Sequence, residues 1–250
     1  MDLPGSGFLV FVAIGLCAQL VDGALGMAYG LVSSSILLAM GMPPAAVSAS
    51  VHTAEVFTTG ISGTAHGMLG NVDRRLMVRL AIPGAVGGAI GAWALSRVDG
   101  EAIRPWIHAY LLVLAALIML RAAGRRLPRG EVKPVGVLGF VSGLLDAIGG
   151  GGWGPMATST LLARGGEART SIGTVSASEF VVTLAISLTF LFSIGVEHWR
   201  VIVGLLLGGA LAAPLAALLV RHVRERIVLY VVGALVGAIS LVQIYRALAL

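Results

Sequence analysis

Apolar residues in this chain come in long unbroken runs rather than in the spaced stripes of a helix lying on a soluble core. Ten runs can be drawn, at 8–22, 30–41, 47–67, 76–95, 105–121, 135–148, 155–163, 171–194, 200–220 and 227–246. A helix needs about 20 apolar residues to cross a bilayer. The third, fourth, eighth, ninth and tenth runs reach that length, and the second and seventh do not. Each short run follows a glycine-rich interruption. One runs from Asp22 to Gly30 and the other from Asp146 through Gly149-Gly150-Gly151-Gly152-Trp153-Gly154 to Pro155. Glycine weakens a helix interior, and proline removes a donor and clashes with the preceding turn. Such breaks are tolerated at membrane depth only where protein or a wet cavity surrounds them.

The interruptions are copies of one another. At an offset of 124 residues Asp22 aligns with Asp146, Gly26 with Gly150, Tyr29 with Trp153 and Gly30 with Gly154. Val51 and Glu55 then align with Val175 and Glu179, and after a one-residue slip Gly70 and Arg75 match Gly195 and Arg200. The expectation is an all-α polytopic membrane protein built from two inverted repeats of about five hydrophobic segments. The first repeat covers 1–122, a basic cytoplasmic linker 123–134, and the second repeat 135–250. Five segments is an odd number, so the second copy enters the membrane inverted. Short interrupted segments at matching places in two halves mark a transporter's binding site.

Composition agrees. The chain is 57% hydrophobic and only 12% charged, with a mean hydropathy of +0.96, whereas soluble domains carry about 25% charged residues. The net charge of +5 does not point to nucleic acid, because the basic residues sit in short connections between apolar runs. Numbered alternately, one side receives thirteen of the 17, from Arg74 and Arg75 through the linker to Arg226. The other receives Arg97, Arg104, Arg200 and Arg246. The positive-inside rule places the first group in the cytoplasm and both termini outside. The single cysteine, Cys17, excludes an internal disulfide and a multi-cysteine metal site. No basic stretch precedes Phe8–Leu16, so a cleaved signal is not expected. No cofactor or metal is expected.

Four acids fall at membrane depth: Asp22, Glu55, Asp146 and Glu179. An acid near a helix centre costs about 2.5–3.5 kcal/mol on insertion scales and therefore faces protein or water. Together with His52, three residues before Glu55, they are the candidates for proton coupling or gating. The bland reading of Asp22 and Asp146 is a carboxylate that accepts bonds from free N–H groups at a helix break. For His52 it is a neutral packing histidine, since the aligned residue is Ser176. His108, His198 and His222 read as helix-end residues, and His66 as lying near a membrane surface.

Helices starting after Gly30 and Gly154 would aim their positive ends at an anion near the midplane, with no basic residue needed in the middle of a long segment. Gly26, Gly30, Gly150, Gly152 and Gly154 would give close backbone approach. Ser33, Ser50, Thr53, Thr174 and Ser178 are the candidate hydroxyls, although hydroxyls in membrane helices often just bond the preceding turn. Small-residue spacings such as Gly84-x-x-x-Gly88 and Gly204-x-x-x-Gly208 allow close helix packing. No His-Glu-x-x-His or Gly-x-Ser-x-Gly occurs, so the chain is not expected to be an enzyme. An anion channel is the nearest alternative, and an intramembrane enzyme a more distant one. The partners expected are a small anion, the lipid bilayer and a coupling ion (proton or sodium), with a homo-oligomer left open.

The glycine break ending in Pro155, and the turn Gly70-Asn71-Val72-Asp73-Arg74-Arg75 with its second copy Gly195-Val196-Glu197-His198-Trp199-Arg200, resemble the TauE/SafE sulfite and organosulfonate exporters. These are also called the 4-toluene sulfonate uptake permease family. The resemblance covers nearly the whole chain as two repeats. It departs at the first break, where Leu31 rather than proline follows Gly30, and at Asp22 and Asp146, where many members have glycine. The resemblance implies export of small sulfur-containing anions such as sulfite, thiosulfate or sulfonates across a prokaryotic inner membrane.

Overall fold

The computed structural model describes residues 6–25, 27–124, 134–195, 197–219 and 225–249. Gly26, His222 and nearly all of the linker lie outside the described residues. Among the described residues ten α-helices follow in order: α1 (Ser6–Leu25), α2 (Tyr29–Ala39), α3 (Pro44–Met68), α4 (Arg74–Leu95), α5 (Gly100–Ala122), α6 (Val135–Gly149), α7 (Ser159–Ala163), α8 (Ala168–Ile194), α9 (Trp199–Leu219) and α10 (Glu225–Leu248). A π-helical turn, Gly154–Thr158, leads into α7. Each apolar run becomes one helix, and the two short runs become the two short helices. Carboxylates fix two of the starts: Asp73 accepts from Arg75 N at 2.9 Å and Leu76 N at 3.0 Å, and Asp99 from Glu101 N at 3.1 Å.

Among the described residues four helices are long and apolar enough to cross a membrane alone: α4, α5, α8 and residues Arg226–Leu248 of α10. The third run, expected to be long enough to span, gives no member of this group, and the fifth run gives one. α5 extends past its apolar run at both ends to 23 residues. α3, at 25 residues, is long enough but too polar, since it carries His52, Glu55 and several hydroxyls. Its neighbours cover those groups, and His52 and Glu55 are both buried. On the outer surface, by contrast, large apolar side chains such as Phe192, Ile61, Val113 and Tyr245 stand exposed, as a lipid-facing wall requires. Trp93 and Trp199 are exposed at helix ends, with the guanidinium groups of Arg97 and Arg200 over their rings at 5.2 and 5.8 Å. Such amphipathic pairs suit the headgroup level.

Packing is interlocked. The most extensive contacts are α4 with α6 and α1 with α9, followed by α3 with α8 and α5 with α10. Every one of these pairs joins a helix before the linker to one after it. The first two run parallel and close: a Cβ on Gly139 would strike the backbone of Leu80, and one on Gly15 the backbone of Leu205. Gly15 and Gly139 are aligned positions, and Leu80 and Leu205 are too after the one-residue slip, so one contact is made twice. α3 and α8 run antiparallel, because Gly60 meets Phe180 while Gly63, further along α3, meets Ala177, earlier in α8. Thr59 and Thr183, aligned residues, face each other at 3.4 Å across this pair.

Candidate functional site

The two helix breaks meet face to face. A Cβ on Gly30 would lie 2.7 Å from Gly150 O and 3.0 Å from both Gly151 Cα and Glu55 Oε1. A Cβ on Gly151 would run into the backbone of Gly30 and Leu31, and one on Gly154 would come within 2.8 Å of Met27 Cβ. Only glycine permits this approach of two backbones. Hydroxyls fasten it, since Ser34 donates to Gly150 O at 2.5 Å and Ser48 to Ala147 O at 2.6 Å. Gly150 turns the chain out of α6 at φ 70°. In the first repeat the left-handed position is taken by Ala28 at φ 99°, a conformation that costs a residue with a Cβ roughly 1–2 kcal/mol.

Carboxylates occupy the amides that the breaks set free. Asp146 Oδ1 accepts from Gly152 N at 2.5 Å and from Trp153 N at 2.9 Å. Its counterpart Asp22 accepts from Tyr29 N at 3.3 Å. Glu55, on α3, takes the amide of Gly30. Both aspartates are therefore caps in this structure, and the positive ends of the short helices already face the protein's own carboxylates. Glu179, on α8, joins the group, within reach of the charges of Asp22, Glu55 and Asp146.

His52 is fully buried and ties α3 to the second break. Its Nε2 lies 3.1 Å from Asp146 Oδ2, and its Nδ1 lies 2.8 Å from Ser48 O. A carbonyl can only accept, so Nδ1 carries a hydrogen. The imidazole is thus held at both nitrogens, by its own helix on one side and by the carboxyl that caps the second break on the other.

The remaining expected residues divide. Ser33, on the first turns of α2, is fully buried and its hydroxyl has no partner among the described residues. Ser50 and Thr53 line a cavity of about 370 Å³ between α3, α8 and α9, together with Ser187, Phe190, Glu197 and His198. Thr174 and Ser178 are not brought there. Thr174 Oγ1 accepts from Asp73 N at 2.9 Å, and Ser178 donates to Thr174 O at 2.7 Å. His108 is not a helix-end residue. It is buried inside α5, and neither ring nitrogen has a hydrogen-bond partner among the described residues. His66 does close α3, 3.1 Å from Asn71.

Two residues at the breaks escaped the sequence reading. Tyr110 of α5 lies against Gly149 and Gly152, and an aromatic inside an apolar run gives no signal of that. Arg121, in the last turn of α5, reaches Met27 Sδ at 3.4 Å and Ser159 Oγ at 3.3 Å. By sequence it counts only as one of the thirteen basic residues of the cytoplasmic side.

Comparison with known proteins gives a consistent answer. The family described as "Sulfite exporter TauE/SafE" matches residues 11–242. The chain is also 43% identical over 250 residues to "Probable membrane transporter protein YtnM" of Bacillus subtilis (strain 168), a match covering 96% of this chain and 82% of that protein. No solved structure matches it.

Proposed function

This chain belongs to the sulfite exporter TauE/SafE family and is a membrane transporter, and on that premise we propose that it exports small sulfur-containing anions such as sulfite, thiosulfate or sulfonates. The observation that carries the reading is the meeting of two glycine breaks with four carboxyls gathered round them. An anion entering that ring is repelled while the acids are ionised, and a short helix's amides are free for it only when a carboxylate lets go. A proton arriving on an acid does both. We therefore assign Glu55 and Glu179 the coupling proton, with the His52–Asp146 pair as its neighbouring store. Sodium fits less well, because it would leave the carboxylates on the amides.

Two inverted repeats fit the exchanged helix pairs and the antiparallel α3–α8 contact. Alternating access would then follow from rocking of packed pairs about α3 and α8. The setting is a prokaryotic inner membrane with both termini outside. In reconstituted vesicles, Glu55→Gln and Glu179→Gln should each lower proton-gradient-driven sulfite flux by about a hundredfold, the low end of what is lost with a proton-transfer group. Wild-type flux in both variants would remove these acids from the mechanism. Flux indifferent to the gradient in the wild type would make the protein a channel.

A further inference from the structure

The two ends of the α3–α8 pair differ. The cavity opens at one end, where Ala49, Ser50 and Thr53 of α3 face Phe190 and Ile194 of α8 and Ile202 of α9. The aligned place at the other end is filled. There the chain between α3 and α4 lies on α8: Asn71 packs against Gly173, and Asp73 N donates to Thr174 Oγ1 at 2.9 Å. Arg169 donates through Nε to Asn71 Oδ1 and through its NH2 group to Leu69 O at 3.2 Å, and Asn71 also meets His66 at 3.1 Å. Thr174 is the counterpart of Ser50, and Gly173 of Ala49. Correspondingly, α4 packs on α8 far more extensively than its counterpart α9 packs on α3.

We infer that Asn71, Arg169 and Thr174 form a latch that holds one end of the transport path shut while the equivalent end, at Ser50, stands open, and that transport requires this latch to release as α9 closes on α3. The inference rests on the transporter reading above and identifies the gate of that same path. Sequence explains why this end is the one held: Arg169 and Asn71 align with Ala45 and Val196, which offer no such hydrogen bonds. Release uncovers the buried Asn71 while Arg169 is already exposed, so water replaces their lost bonds and the latch can open without stranding a buried charge.

The test uses the full chain in nanodiscs with Cys17→Ser, carrying either Ile202→Cys on the cavity wall or Met77→Cys at the aligned position under the latch. Maleimide should label Ile202→Cys the faster. Adding Arg169→Ala should lower the ratio of the two rates about tenfold, the shift expected when hydrogen bonds to a charged group are lost from one state of a two-state equilibrium. Asn71→Ala should act in the same direction. If it folds poorly, Arg169→Ala decides alone, because that side chain is exposed. An unchanged ratio in folded Arg169→Ala protein overturns the latch, even with sulfite flux intact. A shifted ratio upholds it, even if sulfite flux is absent and the substrate assignment falls.

Discussion

Asp146 offers the sharpest test of what holds the second break together. Asp146→Ala removes the acceptor of Gly152 N and Trp153 N and the partner of His52 Nε2. Each buried N–H left without a partner costs about 1–3 kcal/mol, and breaking a buried ion pair from one side costs about 3–5 kcal/mol. These overlap, so the expected loss is about 4 kcal/mol, or roughly 10 °C in Tm for a chain of this length. Asp146→Asn keeps an oxygen for the two amides. It turns an NH2 toward His52 Nε2, which can accept when the ring is neutral, so its loss should stay near 1 kcal/mol. Asp22→Ala is the internal control: Asp22 accepts one amide, at 3.3 Å, and should lose about 1 kcal/mol. Thermal unfolding in detergent, followed by tryptophan fluorescence, reads all three. The capping argument fails if Asp146→Ala melts within about 2 °C of the wild type, or if Asn is as damaging as Ala.

Three further outcomes rest on packing. Gly208→Ala should lose folded protein, because its Cβ would strike Val12 O and Leu16 N of α1, whereas Gly209→Ala, with its nearest neighbour at 3.6 Å, should be neutral or gain up to about 1 kcal/mol from helix propensity; detergent-solubilised yield and Tm check both. Ala28→Gly should raise Tm by relieving φ 99°, a gain of about 1 kcal/mol after the added flexibility of the unfolded chain is counted. His108→Leu should stabilise by about 1–2 kcal/mol, since it replaces two buried nitrogens that have no hydrogen-bond partners; a fall in Tm would show that His108 has a partner in the membrane.

How much of this was legible beforehand depends on whether the signal was periodic or relational. The run at 135–148 became Val135–Gly149 and the run at 30–41 became Tyr29–Ala39, because hydropathy and glycine breaks act locally. The 124-residue offset also identified which residues are equivalent, and the repeated Gly15–Leu205 and Gly139–Leu80 contacts agree with it. Partner choice was not legible. Gly84-x-x-x-Gly88 says that some helix comes close, and only the fold shows α6 and α8 there. The role of Asp146 was equally open, since a carboxylate before a break satisfies both the capping and the proton-coupling reading until the direction of Gly152 N is known. The contact of Arg121 was hidden for a related reason: a basic residue at a helix end reads as part of the charged connection, yet its side chain is long enough to return to the break.

The open cavity at Ser50 and the filled place at Thr174 were the least legible of all, and the reason is physical. Aligned repeats specify two equivalent ends, and nothing in the alignment itself says which end closes. That preference can come only from residues the repeats do not share. Asn71 against Val196 and Arg169 against Ala45 are such residues at the ends, and His52 against Ser176 is one at the centre. On the latch proposal the unlike positions set the resting state, while the like positions (Gly26 with Gly150, Gly30 with Gly154, Asp22 with Asp146, and Glu55 with Glu179) form the part that both states would share. On this argument, exchanging the end residues should move the equilibrium between states and leave the central chemistry in place. Replacing a shared residue should damage both states at once.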